Sequence, residues 1–451
     1  MAYRLPGVYP HISVSPDLVG LPGSARKIVF IGTGSDKYTI SEGVTHEASG
    51  ASTDILENYA INIQKVYSDT KAQYPGSAYK ITGGNIEWID ASAAPSLNQE
   101  YVVIYDFYKQ ASDLVMKEKF SLSEVILEYG YPTSESEIEK RSLAVAAEIA
   151  FRKGASSIYC IQVDPTAIDT ADANEIYIAF KEGLAKCEDI FDAKVIVPLY
   201  TETTKLTNFM QSELKEHIDL MSGDIHRMRR IGLFGLNEVT TVLSIPEVIA
   251  IQQSVADQRI GMAYSGYGKY IFDFGEVKIP GCFLAAEIAA LNVSVLVDSA
   301  TPITNKVLTS FSYIPTFSNP ITSQLSNAGI MAVRNLDNQY RITEGTSTDR
   351  SNIVGQEISV ITSTDEVVDG LQLALEKEYI GTKFLRETLL NIHASADSIL
   401  EKYKGIELIQ DFEITSVVRG ADPQQALVYF KVLPIFADKW IDLYALIVSQ
   451  I

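Results

Sequence analysis

The feature that most constrains the fold is an apolar segment near the carboxyl end of the sequence, Leu427–Ile451. Leu427–Val432 is typical of a β-strand, Pro434 and Asp438 interrupt the pattern, and Trp440–Val448 is typical of a second strand. The end of that second strand is apolar on both faces, so we expect both faces to be covered. An apolar edge strand promotes aggregation unless another strand pairs with it. The segment therefore lies in the subunit's own sheet or is added to a neighbour's sheet. We favour the second arrangement, which indicates an assembly protein.

The first residues of the sequence are compatible with that interpretation. Pro6, Gly7 and Pro10 exclude a helix in Met1–Pro10 and favour an extended arm, and His11–Val14 is typical of a short edge strand. No positively charged stretch leads into an apolar run, so we expect no secretory signal. A frayed terminus is the alternative.

Composition excludes several classes of protein. The chain of 451 residues is long enough for roughly three domains. No apolar run approaches the roughly 20 residues of a membrane span, so we expect no stable membrane insertion. The net charge of −20 argues against direct nucleic-acid binding, which needs clustered cations. Cys160, Cys187 and Cys282 are scattered, which predicts buried thiols rather than disulfides or metal ligands.

The hydrophobic pattern predicts an α/β and α+β multidomain fold with extended strand arms at both ends. Regular short strands predict a small β-rich module over residues 25–115, which includes the strand Lys27–Gly32. Strands then alternate with helices over residues 116–325, which predicts a central, mostly parallel sheet covered on both faces. One of these helices is expected to begin at a capping box of Ser134 and Glu137. The arms are residues 1–24 and 439–451.

Residues 326–438 form the predicted C-terminal α+β domain. Leu336-Asp337-Asn338 predicts the turn of a first hairpin, and Glu357–Thr362 is typical of a strand. Asp365–Lys404 is strongly helical with a break near Gly381, and a second hairpin crosses Gly420–Pro423.

The search for catalytic or ligand-binding patterns finds none that is convincing. Gly32-Thr33-Gly34-Ser35 follows a strand but lacks the full glycine spacing of a phosphate loop, so a plain turn is favoured. Val163–Thr166, at the first strand-to-helix turn of the α/β region, contains no glycine, which argues against a dinucleotide site. The five histidines are isolated in the sequence. We therefore predict no catalytic residues, no cofactor and no metal.

His226–Arg230 is the one concentrated basic patch. It could contact an acidic surface of a neighbouring subunit, bind nucleic acid, or be a solvent-exposed helix end. The sequence leaves these alternatives open.

Several motifs together resemble the family of contractile tail sheath proteins, from bacteriophage tails and related contractile injection systems. The opening Leu5–Tyr9 (LPGVY) is similar to the family's N-terminal arm, and Phe430–Ile435 with Asp438–Val448 resembles its closing signature. The other similar segments are Gly84–Trp88, Tyr101–Tyr105, Ala328–Val333, Tyr340–Ile342 and Thr346–Thr348. The sequence departs from larger phage sheaths in lacking a tryptophan-bearing motif near Ser310–Asn319.

The resemblance implies a structural subunit, not an enzyme. Such a subunit polymerises as a helical homo-oligomer of stacked rings around an inner tail tube, contacts baseplate and tail terminator proteins, and contracts without ATP to drive the tube through the target envelope. It implies a virion tail location after assembly in the bacterial host cytoplasm, and charged residues of Asp365–Lys404 as tube contacts. The implied inter-subunit strand residues are Tyr3, Leu5, Val8, Tyr9, Ile12, Val14, Trp440, Ile441, Leu443, Tyr444, Leu446 and Val448. The alternatives are another self-assembling virion component, such as a tail terminator or baseplate part, and an α/β enzyme with an accessory β-module.

Overall fold

The computed structural model of this chain describes most of the sequence between the two predicted arms. The described residues are 26–47, 52–109, 114–164, 172–199, 208–223, 226–237, 239, 243–294, 299–351, 354–422 and 424–436. Both predicted arms, with all twelve strand residues named for them, lie outside the described residues.

Strands and helices alternate through most of the described residues. In chain order the strands are β1 (Lys27–Gly32), β2 (Lys37–Thr45), β3 (Thr53–Asp54), β4 (Asn62–Ser68), β5 (Tyr79–Thr82), β6 (Asn85–Trp88), β7 (Glu100–Tyr108), β8 (Lys117–Lys119), β9 (Ile158–Gln162), β10 (Ala193–Pro198), β11 (Ile231–Gly235), β12 (Ile260–Tyr264), β13 (Tyr267–Phe272), β14 (Gly275–Pro280), β15 (Val307–Leu308), β16 (Ile330–Leu336), β17 (Gln339–Ile342), β18 (Asp411–Arg419) and β19 (Ala426–Leu433). The α-helices are α1 (Leu122–Tyr129), α2 (Ser142–Arg152), α3 (Ala173–Ala185), α4 (Lys215–Ser222), α5 (Ile245–Ser254), α6 (Cys282–Val293), α7 (Asn319–Asn327), α8 (Ile358–Tyr379) and α9 (Arg386–Gly405).

The centre of the fold is a nine-stranded sheet with the order β15-β17-β16-β12-β11-β10-β1-β9-β8. The neighbours from β16 to β9 all pair in parallel, while β8, β15 and β17 pair antiparallel at the two edges. β1 lies between β9 and β10, so the chain winds outward in both directions from β1. The expected mostly parallel sheet is confirmed.

Helices cover both faces of this sheet. Apolar residues of α2 and α6, together with the hairpin β13–β14, pack on one face around Phe30 and Val195. Helices α3, α4, α5 and α7 pack on the other face around Val29 and Ile196. Since successive residues of a strand point to opposite faces, the continuous apolar run of β1 is buried on both sides.

Two strands differ from the predicted domain boundaries. β1, which the sequence analysis assigned to the β-rich module, lies in the middle of the large sheet, and β16 of the predicted C-terminal domain also extends that sheet. A fully buried parallel strand is a continuous apolar run in any domain, so its pattern does not show which sheet it joins. The rest of the domain division stays a prediction.

The inserted β-module consists of two three-stranded sheets, β2-β7-β4 and β3-β6-β5. β2, which the sequence analysis did not predict, pairs with β7 along its whole length. At the centre, Asp54 Oδ2 lies 2.8 Å from His46 Nδ1 and accepts hydrogen bonds from Trp88 Nε1 at 3.1 Å and Tyr101 OH at 2.6 Å. All four side chains are buried. The buried carboxylate thus holds together strands that are distant in sequence.

The C-terminal part contains two long helices and the hairpin β18–β19. The predicted helix break is confirmed, since Gly381 has a φ of +84° between α8 and α9. The predicted strand Glu357–Thr362 is wrong, because Ile358 already begins α8. Its β-branched residues are buried all round the helix, and tertiary burial overrides their strand propensity.

Two local predictions concern ends and turns. The hairpin turn at Asp337-Asn338 is confirmed, with φ values of +53° and +60° that suit the type I′ geometry of tight hairpins. The capping box of Ser134 is wrong, because Glu137 accepts from the backbone and side chain of Thr133 and the α-helix begins only at Ser142.

Candidate functional site

The crevice at the carboxyl ends of the parallel strands is where a doubly wound sheet usually binds ligands. Here the turn after β1 is occupied by the protein's own groups. The Thr33 N–H donates to Ser142 Oγ at 2.9 Å, and the Ser142 N–H donates back to Thr33 Oγ1 at 3.1 Å. A Cβ on Gly34 would lie 2.9 Å from the ring of Tyr129, so this glycine makes room for an aromatic side chain. The turn after β1 is therefore structural, as predicted.

The described residues contain a buried Cys–His pair that resembles a catalytic dyad. Cys187 Sγ lies 3.7 Å from His217 Nε2, and Arg230 Nη1 donates to the same nitrogen at 2.9 Å. Burial raises the pKa of the Cys187 thiol to about 11, and burial followed by the charge of Arg230 lowers the pKa of His217 to about 3. At pH 7 the thiol is protonated and the imidazole is neutral. The pair has neither the thiolate nor the imidazolium that nucleophilic catalysis requires.

The described residues contain neither a candidate metal site nor a candidate membrane span. No group of histidine, cysteine or acidic side chains in the described part of the chain could hold a metal ion. Among those residues we also find no helix with the length and apolar character that a membrane crossing requires. Cys160, Cys187 and Cys282 are free and buried, as the sequence predicts.

The basic patch is not a solvent-exposed helix end. Arg229 and Arg230 are each 1% exposed, and both lie just before β11. Arg230 donates to the carbonyl oxygens of Cys187 and Ile190, each at 3.0 Å. Arg229 forms an ion pair with Asp369 of α8. The side chains of Arg229 and Arg230 therefore bind groups of their own chain.

That ion pair belongs to a larger arrangement, which we call the α8 ion-pair interface. The amino ends of β1, β10, β11 and β12 each supply one cation, and α8 supplies the acidic side chains that face them. The pairs are Arg26–Glu366 at 3.7 Å, Lys194–Asp369 at 2.7 Å, Arg229–Asp369, and Arg259–Asp365 through two hydrogen bonds of 2.6 and 2.7 Å. Arg227–Glu376 lies farther along the helix.

This interface was not predicted, although the sequence contains a pattern of charged residues that indicates it. A cation stands at or just before the start of four apolar strands, and Asp365, Asp369 and Glu376 recur on one face of the following helix. These acidic residues are engaged within the chain, so they differ from the exposed tube contacts that the resemblance implies.

The hairpin β18–β19 has the features of a strand-acceptor site. Within the described residues the two strands pair only with each other. α9 packs against one face of the hairpin through Ala396 and Leu400. A groove of about 290 Å³ lies where β18 begins and β19 ends, lined by Phe412, Glu413, Lys431, Leu433 and Phe436. The hairpin therefore has outer edges with hydrogen-bonding groups and an adjacent groove lined by both apolar and charged side chains.

Comparison with known proteins gives three curated relatives, each named as a tail sheath protein or putative tail sheath protein of a phage. No family model matches the sequence. The chain is 26% identical over 277 residues to the tail sheath protein of Mycobacterium phage Bxz1, a match that covers 60% of this chain and 45% of that protein. The matches thus span less than half the length of the curated relatives.

Solved structures of contractile sheaths share the fold along nearly the whole chain. The helical sheath of the anti-feeding prophage in its contracted state has a TM-score of 0.59 at 12% identity, with 99% of each chain covered. The PVC sheath complex of an extracellular contractile injection system, also contracted, has a TM-score of 0.57 at 13% identity and covers 99% of this chain and 98% of that one. The sequence relatives carry the same kind of name as these fold neighbours. The chain is therefore similar in sequence to phage tail sheath proteins and shares the fold of contractile sheath proteins.

Proposed function

We propose that this chain is the structural subunit of a contractile sheath. Copies of it polymerise as a helical lattice of stacked rings around a rigid inner tube, and contraction of the lattice drives the tube through a target cell envelope. The observation that supports this most is the shared fold with two contracted sheaths over nearly all of the chain, combined with the curated relatives. The proposed partners are further copies of the chain, the tube protein, and baseplate and terminator proteins. The proposed location is the tail, after assembly in the host cytoplasm.

The hairpin β18–β19 supports a specific means of connecting the subunits. Among the described residues no strand pairs with the outer edges of this two-stranded sheet, and an extended segment of another chain can pair with such edges. The two predicted arms, residues 1–24 and 439–451, are the segments proposed to add to the hairpins of neighbouring copies. Backbone pairing of this kind persists while the subunits change their relative orientation, provided that the connections between arm and body bend.

The energy of contraction comes, in this proposal, from two alternative packings of the same subunits. A difference of about 1 kcal/mol per subunit changes the equilibrium of an isolated subunit only about fivefold. In a lattice whose subunits switch together, these small differences add. No nucleotide hydrolysis is needed in this proposal.

Assembly of the purified full-length chain tests the proposal. We expect negative-stain microscopy to show tubes or stacked rings, which the double variant Val8→Asp with Ile12→Asp abolishes because charges replace apolar arm residues. The matched control, His11→Asp with Ser13→Asp, adds the same number of carboxylates at polar positions of the same arm and should still assemble. Circular dichroism should show that both variants are folded. Normal tubes from the first variant would refute the role of the arm, and discrete small particles from the unmodified chain at all concentrations would refute the sheath function.

A further inference from the structure

Helix α8 belongs to two separate hydrophobic cores. Ile358 and Ile361, in its first turn, pack in the core of the large sheet. Val360, Val367, Leu371 and Leu375 belong to a different cluster. The other buried members of that cluster come from α9, the connection after it and the hairpin, together with Ala300: Ile392, Ala396, Leu400, Leu408, Ile409 and Val432. α8 therefore connects the sheet to α9 and the hairpin.

Between these two cores, α8 meets the sheet largely through charges. Asp369 is 3% exposed and accepts from Lys194 and Arg229, which come from two neighbouring strands. Asp365 binds Arg259 from a third strand. Glu376 pairs with Arg227 farther along the helix, and Leu373, between Asp369 and Glu376, is 55% exposed. The boundary between α8 and the sheet is thus polar, whereas the boundary between α8 and α9 is apolar.

The two boundaries respond differently to separation. Opening an apolar boundary exposes hydrocarbon to water, and the whole transfer free energy is lost. Opening a boundary of buried ion pairs returns each charged group to water, and the recovered hydration offsets much of the lost Coulomb attraction. The α8 ion-pair interface is therefore easier to open than the apolar boundary between α8 and α9. The first turn of α8 remains packed in the core of the large sheet.

We propose that α8 beyond its first turn, α9 and the hairpin β18–β19 form one body that opens away from the sheet at the α8 ion-pair interface, with Ile358–Ile361 as the hinge. The body keeps its own apolar core when it opens. This inference deepens the proposed function, on which its biological meaning rests. In a lattice, the hairpin that carries the neighbours' strands could change its direction relative to the sheet without losing those strands.

Distances between paired spin labels on the unassembled full-length chain test the proposal. One pair of labels spans the α8 ion-pair interface, at exposed Ile178 of α3 and exposed Leu390 of α9, and a control pair lies within the body, at exposed Leu373 of α8 and Leu390. We expect pulsed electron spin resonance to show a second, longer distance for the first pair and one narrow distance for the control pair. One narrow distance for the first pair, or a second distance for the control pair, would overturn the proposal, because the body would then stay closed or would open between α8 and α9.

A pair of double variants tests which contact holds the body closed. Arg259→Met with Asp365→Leu replaces an ion pair across the α8 ion-pair interface by apolar side chains, and we expect the population at the longer distance between the labels at Ile178 and Leu390 to fall at least fivefold. Lys404→Met with Asp411→Leu makes the same change at a solvent-exposed 2.7 Å ion pair between α9 and β18, and the distances should be unchanged. Unchanged distances in the first variant would contradict the proposal. If that variant does not fold, the distances in the unmodified chain still decide, and neither measurement depends on sheath assembly.

Discussion

The buried histidine of the central domain leads to a prediction about acid stability. His217 Nε2 accepts a hydrogen bond from Arg230 at 2.9 Å, which a protonated imidazole cannot do. Burial and the neighbouring arginine lower its pKa from 6.5 to about 3. The unfolded chain therefore binds a proton below pH 6.5 that the folded chain does not bind until about pH 3. The contribution of His217 to stability is fully present above pH 6.5 and is lost as the pH falls through this window.

The size of the effect follows from the shift. Each pH unit in this window removes about 1.4 kcal/mol, so acidification from pH 6.5 to pH 5 costs about 2 kcal/mol. In a folding unit of roughly 150–250 residues, a loss of about 1 kcal/mol lowers the melting temperature by about 2–4 °C. The loss of about 2 kcal/mol at His217 should therefore lower it by about 4–8 °C. His217→Gln keeps an acceptor for Arg230 but does not titrate, so the variant should lack this part of the acid-induced decrease.

Scanning calorimetry at pH 7 and pH 5 measures the difference directly. The control is His393→Gln, which changes an exposed histidine of α9 and should leave the pH dependence as in the unmodified chain. If His217→Gln shows the same decrease in melting temperature as the unmodified chain, the imidazole is not held neutral by Arg230, and the reasoning fails.

Two further substitutions probe local packing. Asp54→Asn weakens the acceptor shared by three buried donors in the β-module, and we expect a loss of about 3 kcal/mol in the free energy of unfolding, measured by denaturant titration followed by tryptophan fluorescence. If Asp54→Asn unfolds at the same denaturant concentration as the unmodified chain, the hydrogen bonds to Asp54 do not stabilise the β-module. Gly235→Ala would place a Cβ 2.0 Å from the backbone oxygen of Gly281, so we expect a loss of roughly 3 kcal/mol or more, or insoluble protein. Gly76→Ala has open space and should melt as the unmodified chain does.

The sequence predicted most elements of the described fold, and local physics explains why. β9, β10 and β12 are short runs rich in apolar residues, and residues that break regular structure bound them, a pattern that favours strands. At the start of α5 the Ser244 N–H donates to Glu247 Oε2 at 2.7 Å, a capping contact that spans four residues. These signals are contained within a few residues.

Three features that the sequence did not predict depend on contacts between distant residues. The place of β1 in the large sheet depends on its pairing with β9 and β10, more than 100 residues away in sequence. Glu357–Thr362 has strand propensity, but the core of the sheet buries this segment as the start of a helix. The cations of the α8 ion-pair interface come close to one another only because β1, β10, β11 and β12 lie side by side in the folded sheet. The twelve predicted arm residues lie outside the described residues and stay a prediction.

A cryo-electron-microscopy reconstruction of the assemblies formed by the full-length chain tests the central claim most directly. The account predicts a helical lattice in which strands from neighbouring copies lie against the outer edges of β18 and β19, so that each hairpin becomes part of a larger sheet. A lattice in which the hairpin remains two-stranded, or a chain whose two ends pair only with its own body, would contradict it.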